Sequence, residues 1–247
     1  MEISLIIPAY NEERRIGPTL EAYLSFFTGK GRPFEVLVVL NGCRDGTLEV
    51  VERAGQRWGR VRWVVFPQPL GKGGAVREGL AHARGQRVVF VDADNMVGPR
   101  EAYRLLERLE QTDIAIASRY IPGARCLRRP PLRRRVAAWA FRQLVRLVLG
   151  LPFRDTQCGA KAFRAEALQR LLPHLQERGW AFDVELLALA LDMGLRVEEV
   201  PVEWAFSARG SKMPTLSAAL GMAWTVLRVR QRRRLWRTAL AEVQERG

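Results

Sequence analysis

The sequence predicts a doubly wound α/β fold built on a mostly parallel sheet, and three observations predict it. Strand-like and helix-like segments alternate at short spacing from Glu2 to Ala117. Two of the strand-like segments, Phe34–Leu40 and Gln86–Val91, are near-continuous apolar runs, the pattern of strands buried on both faces. The 247 residues are 48% apolar and 27% charged, an ordinary globular composition that excludes disorder as the overall state.

The elements follow in order. Glu2–Ile7 is a short apolar strand ending at Pro8, and Glu13–Phe27 reads as a helix. Phe34–Leu40 is a buried strand; Asp45–Gln56 is a helix with Asp45 and Thr47 as N-cap candidates. Val61–Phe66 is strand-like, Gly73–Arg84 a helix, Gln86–Val91 a strand, Pro99–Glu110 a helix and Asp113–Ala117 a strand. The rhythm then changes. Pro130–Pro131 breaks the chain before a basic helix over Arg133–Leu149, and Phe153–Ala162 is an irregular loop leading to a short strand. Helices are expected over Ala165–Leu172 and Phe182–Met193, and a strand over Arg196–Trp204. The core is expected to span 1–212, with a first half over 1–118 and a second over 119–212, followed by a basic amphipathic extension over 213–247.

The formal charge of +14 is concentrated. Ten arginines and no acid lie between Arg119 and Arg154; seven arginines and Lys212, again without an acid, lie between Trp204 and Ala241. In Arg133–Leu149, Val136, Trp139, Ala140, Leu144, Leu147 and Val148 recur near helical spacing. Met213–Trp236 repeats the theme with Trp224. Basic amphipathic helices with an aromatic residue on the apolar side suit an anionic membrane surface, although core packing explains the same stripes. No nucleic-acid motif is present, so no nucleic-acid partner is expected. The uncharged stretch Met213–Leu227 is 15 residues, short of the roughly 20 that span a bilayer. The N-terminus enters an apolar run without a basic leader region, and three scattered cysteines suit a reducing compartment. A cytoplasmic protein, peripheral on the inner face of the membrane, is therefore expected.

Ligands of an open parallel sheet bind at the carboxyl ends of its strands. The first strand ends in Ile7-Pro-Ala-Tyr-Asn-Glu-Glu13, the second in Asn41-Gly-Cys-Arg-Asp-Gly-Thr47, the fourth in Val91-Asp-Ala-Asp94. Asp92 and Asp94, one residue apart beyond a buried strand, suit one hard cation, Mg2+ or Mn2+, bridging carboxylates to a diphosphate.

With these motifs the sequence resembles the family 2 nucleotide-sugar glycosyltransferases of the GT-A fold. Leu70–Gly79 (LGKGGAVREG) resembles the family's Gly-Lys-Gly loop, and Ala117–Tyr120 (ASRY) its arginine-bearing fifth strand end. Asp155–Lys161 (DTQCGAK), Phe182–Leu186 (FDVEL) and Gly210–Met213 (GSKM) are similar to dolichyl-phosphate β-glucosyltransferases and bacterial polyprenyl-phosphate relatives. The resemblance implies that Pro8, Ala9, Tyr10 and Glu12 hold base and ribose, with Asn41 at the base edge and Lys72 near the phosphates. It implies that Asp92 and Ala93 contact the nucleotide and that Asp94, with Asp92, ligates the metal. Where members carry Asp-Asp, this chain has Leu40 and Asn41; an amide can accept from uracil N3–H, which leans to UDP over GDP. Arg119, Arg128, Asp155, Gln157, Arg209, Ser211 and Lys212 are candidates for holding an acceptor phosphate. Asp183 falls where members place a catalytic carboxylate, and could orient the acceptor, act as base, or cap the helix.

The implied reaction is inverting transfer of a hexose, glucose from UDP-glucose first, to a polyprenyl phosphate. GDP-mannose as donor, a soluble acceptor with Asp183 as base, and a non-catalytic membrane- or nucleic-acid-binding module are the alternatives.

Overall fold

The computed structural model describes residues 1–206 and 216–245. Its order is β1 (Ile3–Ala9), α1 (Glu13–Thr28), β2 (Phe34–Asn41), α2 (Thr47–Trp58), β3 (Val61–Phe66), α3 (Lys72–Ala81), β4 (Arg87–Val91), α4 (Pro99–Arg108) and β5 (Ile114–Ser118). There follow β6 (Arg125–Arg128), α5 (Leu132–Leu149), β7 (Ala160–Arg164), α6 (Ala165–Leu171), α7 (Phe182–Asp192), β8 (Val197–Pro201), β9 (Glu203–Ala205) and α8 (Leu216–Glu245). Seven strands form one sheet in the order β3-β2-β1-β4-β7-β5-β8, with β7 antiparallel to both neighbours. The doubly wound, mostly parallel architecture is therefore the one the apolar runs require.

Period-two alternation along the strands feeds two cores. Leu5, Ile7, Val36 and Val38 face α1, α2 and α4; Ile6, Leu37, Val39 and Phe90 face α3, α6 and α7. β1 continues through Pro8 to Ala9, because its partner β2 is in register as far as Leu40. Neither Asp45 nor Thr47 caps α2 by its side chain; Gly46 stands at the cap, and the Asp45 carboxylate instead binds the Thr47 amide and hydroxyl.

The expected single strand over Arg196–Trp204 is two. β8 edges the main sheet and ends at Pro201, while β9 pairs with β6, a short exposed strand that apolar patterning does not reveal. The apolar stripe of α5 is divided. Leu144 and Val148 of the stripe pack against the second core beside the buried Val145 and Leu149, which lie outside the expected stripe, whereas Val136, Trp139 and Leu147 are exposed. α8 packs on α5 and α7 and buries Val226 and Val229. Each such burial contributes about 1.5–3 kcal/mol, more than an exposed ion pair. The expected boundary at residue 212 lies outside the described residues.

Candidate active site

Parallel strands β1, β2, β4 and β5 present their carboxyl ends at one edge of the sheet, and an antiparallel β7 must enter from that same edge. The topology therefore brings Asp92, just past β4, against Gly159, just before β7, and the Asp92 amide donates to the Gly159 carbonyl at 3.0 Å. A Cβ on Gly159 would overlap Asp92 Oδ2. Gly159→Ala is accordingly expected to leave a folded protein whose Asp92 is displaced and whose activity is reduced about 100-fold or more. Wild-type rates in this variant would refute the close approach as a requirement.

Asp92 pairs with Lys72 Nζ at 3.0 Å, and Lys72 opens α3 beneath the Trp180 ring. Burial works against the Lys72 ammonium, but Asp92 and Asp183 outweigh it and its pKa lies above the usual lysine value. Asp94 accepts the Met96 amide at 3.1 Å. Burial first, and the Asp92 charge second, push its pKa up to about 6. α1 anchors this loop from below: Thr19 donates to the Ala93 carbonyl at 2.8 Å and the buried Tyr23 hydroxyl to the Val97 carbonyl at 2.7 Å. A tyrosine on an apolar helix face gives no sequence hint of that role.

Among the described residues no three His, Cys, Asp or Glu side chains form a metal cluster. Two carboxylates suit a magnesium-type ion, which commonly takes one or two protein carboxylates and completes its shell with phosphate oxygens and water. The raised pKa of Asp94 comes from its burial first and from the neighbouring Asp92 charge second.

At the end of β5, Arg119 grips Asp155 through Nε (2.7 Å), Nη2 (2.9 Å) and its own amide (2.9 Å). Asp155 is fully buried; burial opposes its charge, but Arg119 prevails and its pKa falls below the usual carboxylate range. Arg119 is thus an ion-paired wall and no free cation. Beyond it an apolar groove of about 730 Å³ runs between α5 and α8, lined by Ala137, Phe141, Leu144, Phe206, Met222 and Ala223 among others. It shares Met96, Arg119, Gln157 and Trp204 with a pocket of about 50 Å³ that holds Asp92 and Asp94. Three buried N–H donors at the groove have no hydrogen-bond partner among the described residues: Arg142 Nε, Gln157 Nε2 and Trp204 Nε1. The Arg142 guanidinium lies 3.6 Å from the Tyr120 ring centroid. Arg142 and Trp204 were not among the residues expected here, since a lone Arg in an arginine-rich helix carries no local signal.

The structure does not gather every expected residue. Ala9 is buried at the end of β1 and Tyr10 is exposed beyond it, next to the half-buried Pro8. Glu12 is clasped by Arg15 and stands at the start of α1. Asn41, expected at a base edge, is buried and engages the chain itself at both ends of its amide. Its Oδ1 accepts the Leu70 amide (2.6 Å) and its Nδ2 donates to the Gly71 carbonyl (3.3 Å), so both ends of the amide tie down the Lys72 loop. Arg128 sits exposed on β6 and lines neither cavity. Arg209, Ser211 and Lys212 lie outside the described residues. Asp183 is buried and held by Lys161 Nζ at 2.5 Å; burial raises its pKa against the pull of Lys161 and Lys72. Lys161, fully buried within β7, also donates to the Cys158 carbonyl. Its sequence signal was a charge inside an apolar strand. The Cys158 thiol, pushed up to about 12 by burial, stays protonated and packs as a small apolar group.

The sequence profile of Glycosyl transferase family 2 matches residues 4–172. The chain is 36% identical over 235 residues to glycosyltransferase AglD of Haloferax volcanii, covering 92% of this chain and 37% of that one. It is 31% identical to the dolichyl-phosphate β-glucosyltransferases of Saccharomyces cerevisiae and Homo sapiens, over 248 and 245 residues. Those matches cover 92% and 94% of this chain and 74% and 75% of theirs, so this chain spans about a third of the first relative and three quarters of the other two. The fold matches glucosyl-3-phosphoglycerate synthase from Mycobacterium tuberculosis, crystallised with Mn2+, UDP and glucosyl-3-phosphoglycerate. The TM-score is 0.66 at 22% identity, covering 94% of this chain and 79% of that one.

Proposed function

This chain belongs to glycosyl transferase family 2, and from that premise we propose that it transfers glucose from UDP-glucose, with inversion and a divalent cation, to the phosphate of a polyprenyl lipid. One observation carries the acceptor reading: an apolar groove whose buried N–H donors from Arg142, Gln157 and Trp204 are unpartnered among the described residues, beside the pocket of Asp92 and Asp94. An anionic head with an apolar tail satisfies both features, because unpaired buried donors favour a charged acceptor group. The dolichyl-phosphate β-glucosyltransferases among the relatives support the same acceptor class. Support for a uridine diphosphate donor comes from the fold neighbour that binds UDP, and not from Asn41.

The chemistry asks little of a general base. A phosphate monoester is already an anion at neutral pH, so its oxygen attacks the anomeric carbon directly while the glycosidic C–O bond breaks and its electron pair leaves on the diphosphate. Asp92 and Asp94 would hold the cation, which when bound neutralises charge on the departing diphosphate. Lys72, paired with Asp92, supplies fixed positive charge on the donor side. Arg142, Gln157 and Trp204 orient the acceptor head, and the Arg119–Asp155 pair keeps that wall rigid. Asp183, with one oxygen already on Lys161, shapes the site and does not act as a free base.

Among the described residues no helix is long and apolar enough to cross a membrane. We place the protein peripherally on the inner face, through the exposed Leu132, Val136, Trp139 and Leu147 of α5 and Leu220 and Trp224 of α8. Exposed Arg129, Arg133, Arg135 and Arg146 flank the first group. Arg228, Arg232 and Arg233 of α8 do not join them: they pair with Glu177, Glu185 and Asp192.

The deciding experiment supplies labelled UDP-glucose or GDP-mannose, Mn2+ or Mg2+, and a short polyprenyl phosphate, and counts label in the organic phase. Metal-dependent label from UDP-glucose is expected. Label from GDP-mannose alone replaces the donor; metal-dependent UDP binding without organic label replaces the acceptor with a soluble one. Flotation with anionic liposomes is expected to weaken with salt and with the Trp139→Ala, Trp224→Ala double change. Exclusion from such liposomes at every salt concentration removes the membrane reading.

A further inference from the structure

The Phe182–Leu186 motif carries two acids, and only Asp183 faces the site. Glu185, fully buried, faces α8. Its Oε2 accepts the amides of Gln176 (2.9 Å) and Glu177 (2.7 Å), and its Oε1 accepts Arg232 (2.7 Å). Glu177, also buried, takes Arg228 at 2.9 Å and Arg232 at 3.1 Å. One guanidinium of α8 thus bridges the Glu185 carboxylate of α7 and the Glu177 carboxylate of the segment before it.

The strap that leaves this cluster reaches the donor side within three residues. The Arg178 carbonyl accepts the Gly73 amide at 2.9 Å and the Gly74 amide at 3.3 Å, and the Gly179 carbonyl also accepts Gly73 at 3.2 Å. Gly71, at φ +79°, passes so close that a Cβ there would overlap the Arg178 carbonyl. Trp180 then lies over Lys72, which pairs with Asp92. A continuous path of hydrogen bonds and packing therefore joins α8 to the lysine of the donor site. Stability alone does not explain the cluster, since apolar residues in its place would anchor a helix at least as well, and Val226 and Val229 already do so.

We propose that Glu177, Glu185 and Arg232 are positioning residues for the donor: they hold the 177–180 strap against the Lys72 loop, so that the seating of α8 sets the geometry around Lys72. The proposal rests on the reading of that loop as the donor-phosphate site.

The test compares Arg232→Gln, Glu177→Gln and Arg232→Lys with wild type, and uses the exposed Arg230→Gln as control. Amide hydrogen exchange at Gly73 and Gly74, UDP affinity with Mn2+, and the KM values for donor and acceptor are measured in the full chain. Faster exchange at Gly73 and Gly74 is expected in both Gln variants. UDP affinity is expected to fall about tenfold, with donor KM raised and acceptor KM unchanged. Arg232→Lys, which keeps the charge on a shorter side chain without the planar guanidinium, should fall between, and Arg230→Gln should match wild type. Should Arg232→Gln fail to fold, Glu177→Gln and Arg232→Lys carry the comparison. Lower melting temperatures with unchanged exchange and unchanged UDP affinity would overturn the proposal, leaving the cluster merely structural. Absence of UDP binding by the wild type would instead remove the donor reading, while the exchange result still decides the coupling.

Discussion

Asp94→Asn is expected to lower transfer by about a thousandfold, because loss of a metal carboxylate forfeits several kcal/mol of charge stabilisation and each 1.4 kcal/mol is tenfold in rate. The same substitution is expected to raise the melting temperature of the metal-free protein. The Asp94 carboxyl titrates near 6 in the folded site, pushed up by burial and then by Asp92. In the unfolded chain it ionises near the ordinary value of 3.8. As pH rises between those values the unfolded state sheds its proton first, so stability is lost, and the full penalty stands at pH 7. Asparagine removes that penalty and keeps the hydrogen bond from the Met96 amide. Ligand that binds only the native state stabilises it, so the thermal shift given by UDP with Mn2+ should vanish in the variant. In the wild type that shift should shrink as pH falls through about 6, where a proton competes with the cation for Asp94. A thermal shift series over pH 5 to 8 checks both signs. An undiminished shift in Asp94→Asn would take the metal role away from this residue.

Lys161→Ala is expected to destabilise the protein by about 3–5 kcal/mol, the cost of leaving one member of a buried ion pair uncompensated. Lys161 is 0% and Asp183 4% exposed, and their 2.5 Å contact crosses from β7 to the start of α7. For a domain of this size that loss lowers the melting temperature by roughly 10 °C. Lys161→Met combined with Asp183→Asn removes both charges and is expected to recover most of the stability, since the pair's worth lies in mutual compensation. Urea denaturation of the single and double variants measures the difference. A loss below about 1 kcal/mol in Lys161→Ala would show that water already compensates Asp183, and would return that carboxylate to candidacy as a base.

Local pattern made the carboxylate pair and the strand ends legible. Asp92 and Asp94 stand out because two acids follow an apolar run, and strand ends of a parallel sheet share one edge whatever the rest of the chain does. Asn41 was visible for the same reason, but its hydrogen-bond partners were not. Its partners Leu70 and Gly71 lie about thirty residues away and belong to a loop whose path the sequence does not state. Arg119 was also visible, but its pairing with Asp155 was not, because β7 had to enter antiparallel between β4 and β5 to bring those residues together.

The arginine-rich helices show the same division most sharply. Their number, spacing and amphipathic character are properties of the sequence alone, as are the alternating strands and the carboxylate pair, because each depends on neighbours within a few residues. Which face of α8 turns inward is not such a property. Arg228, Arg232 and Arg233 meet Glu177, Glu185 and Asp192, more than forty residues away, while Trp224 on the same helix stays exposed. Burial of a charge is tolerated only where an opposite charge and its hydrogen bonds are already in place. Tertiary packing sets that condition, and so it decided which arginines bind the protein and which remain on its surface.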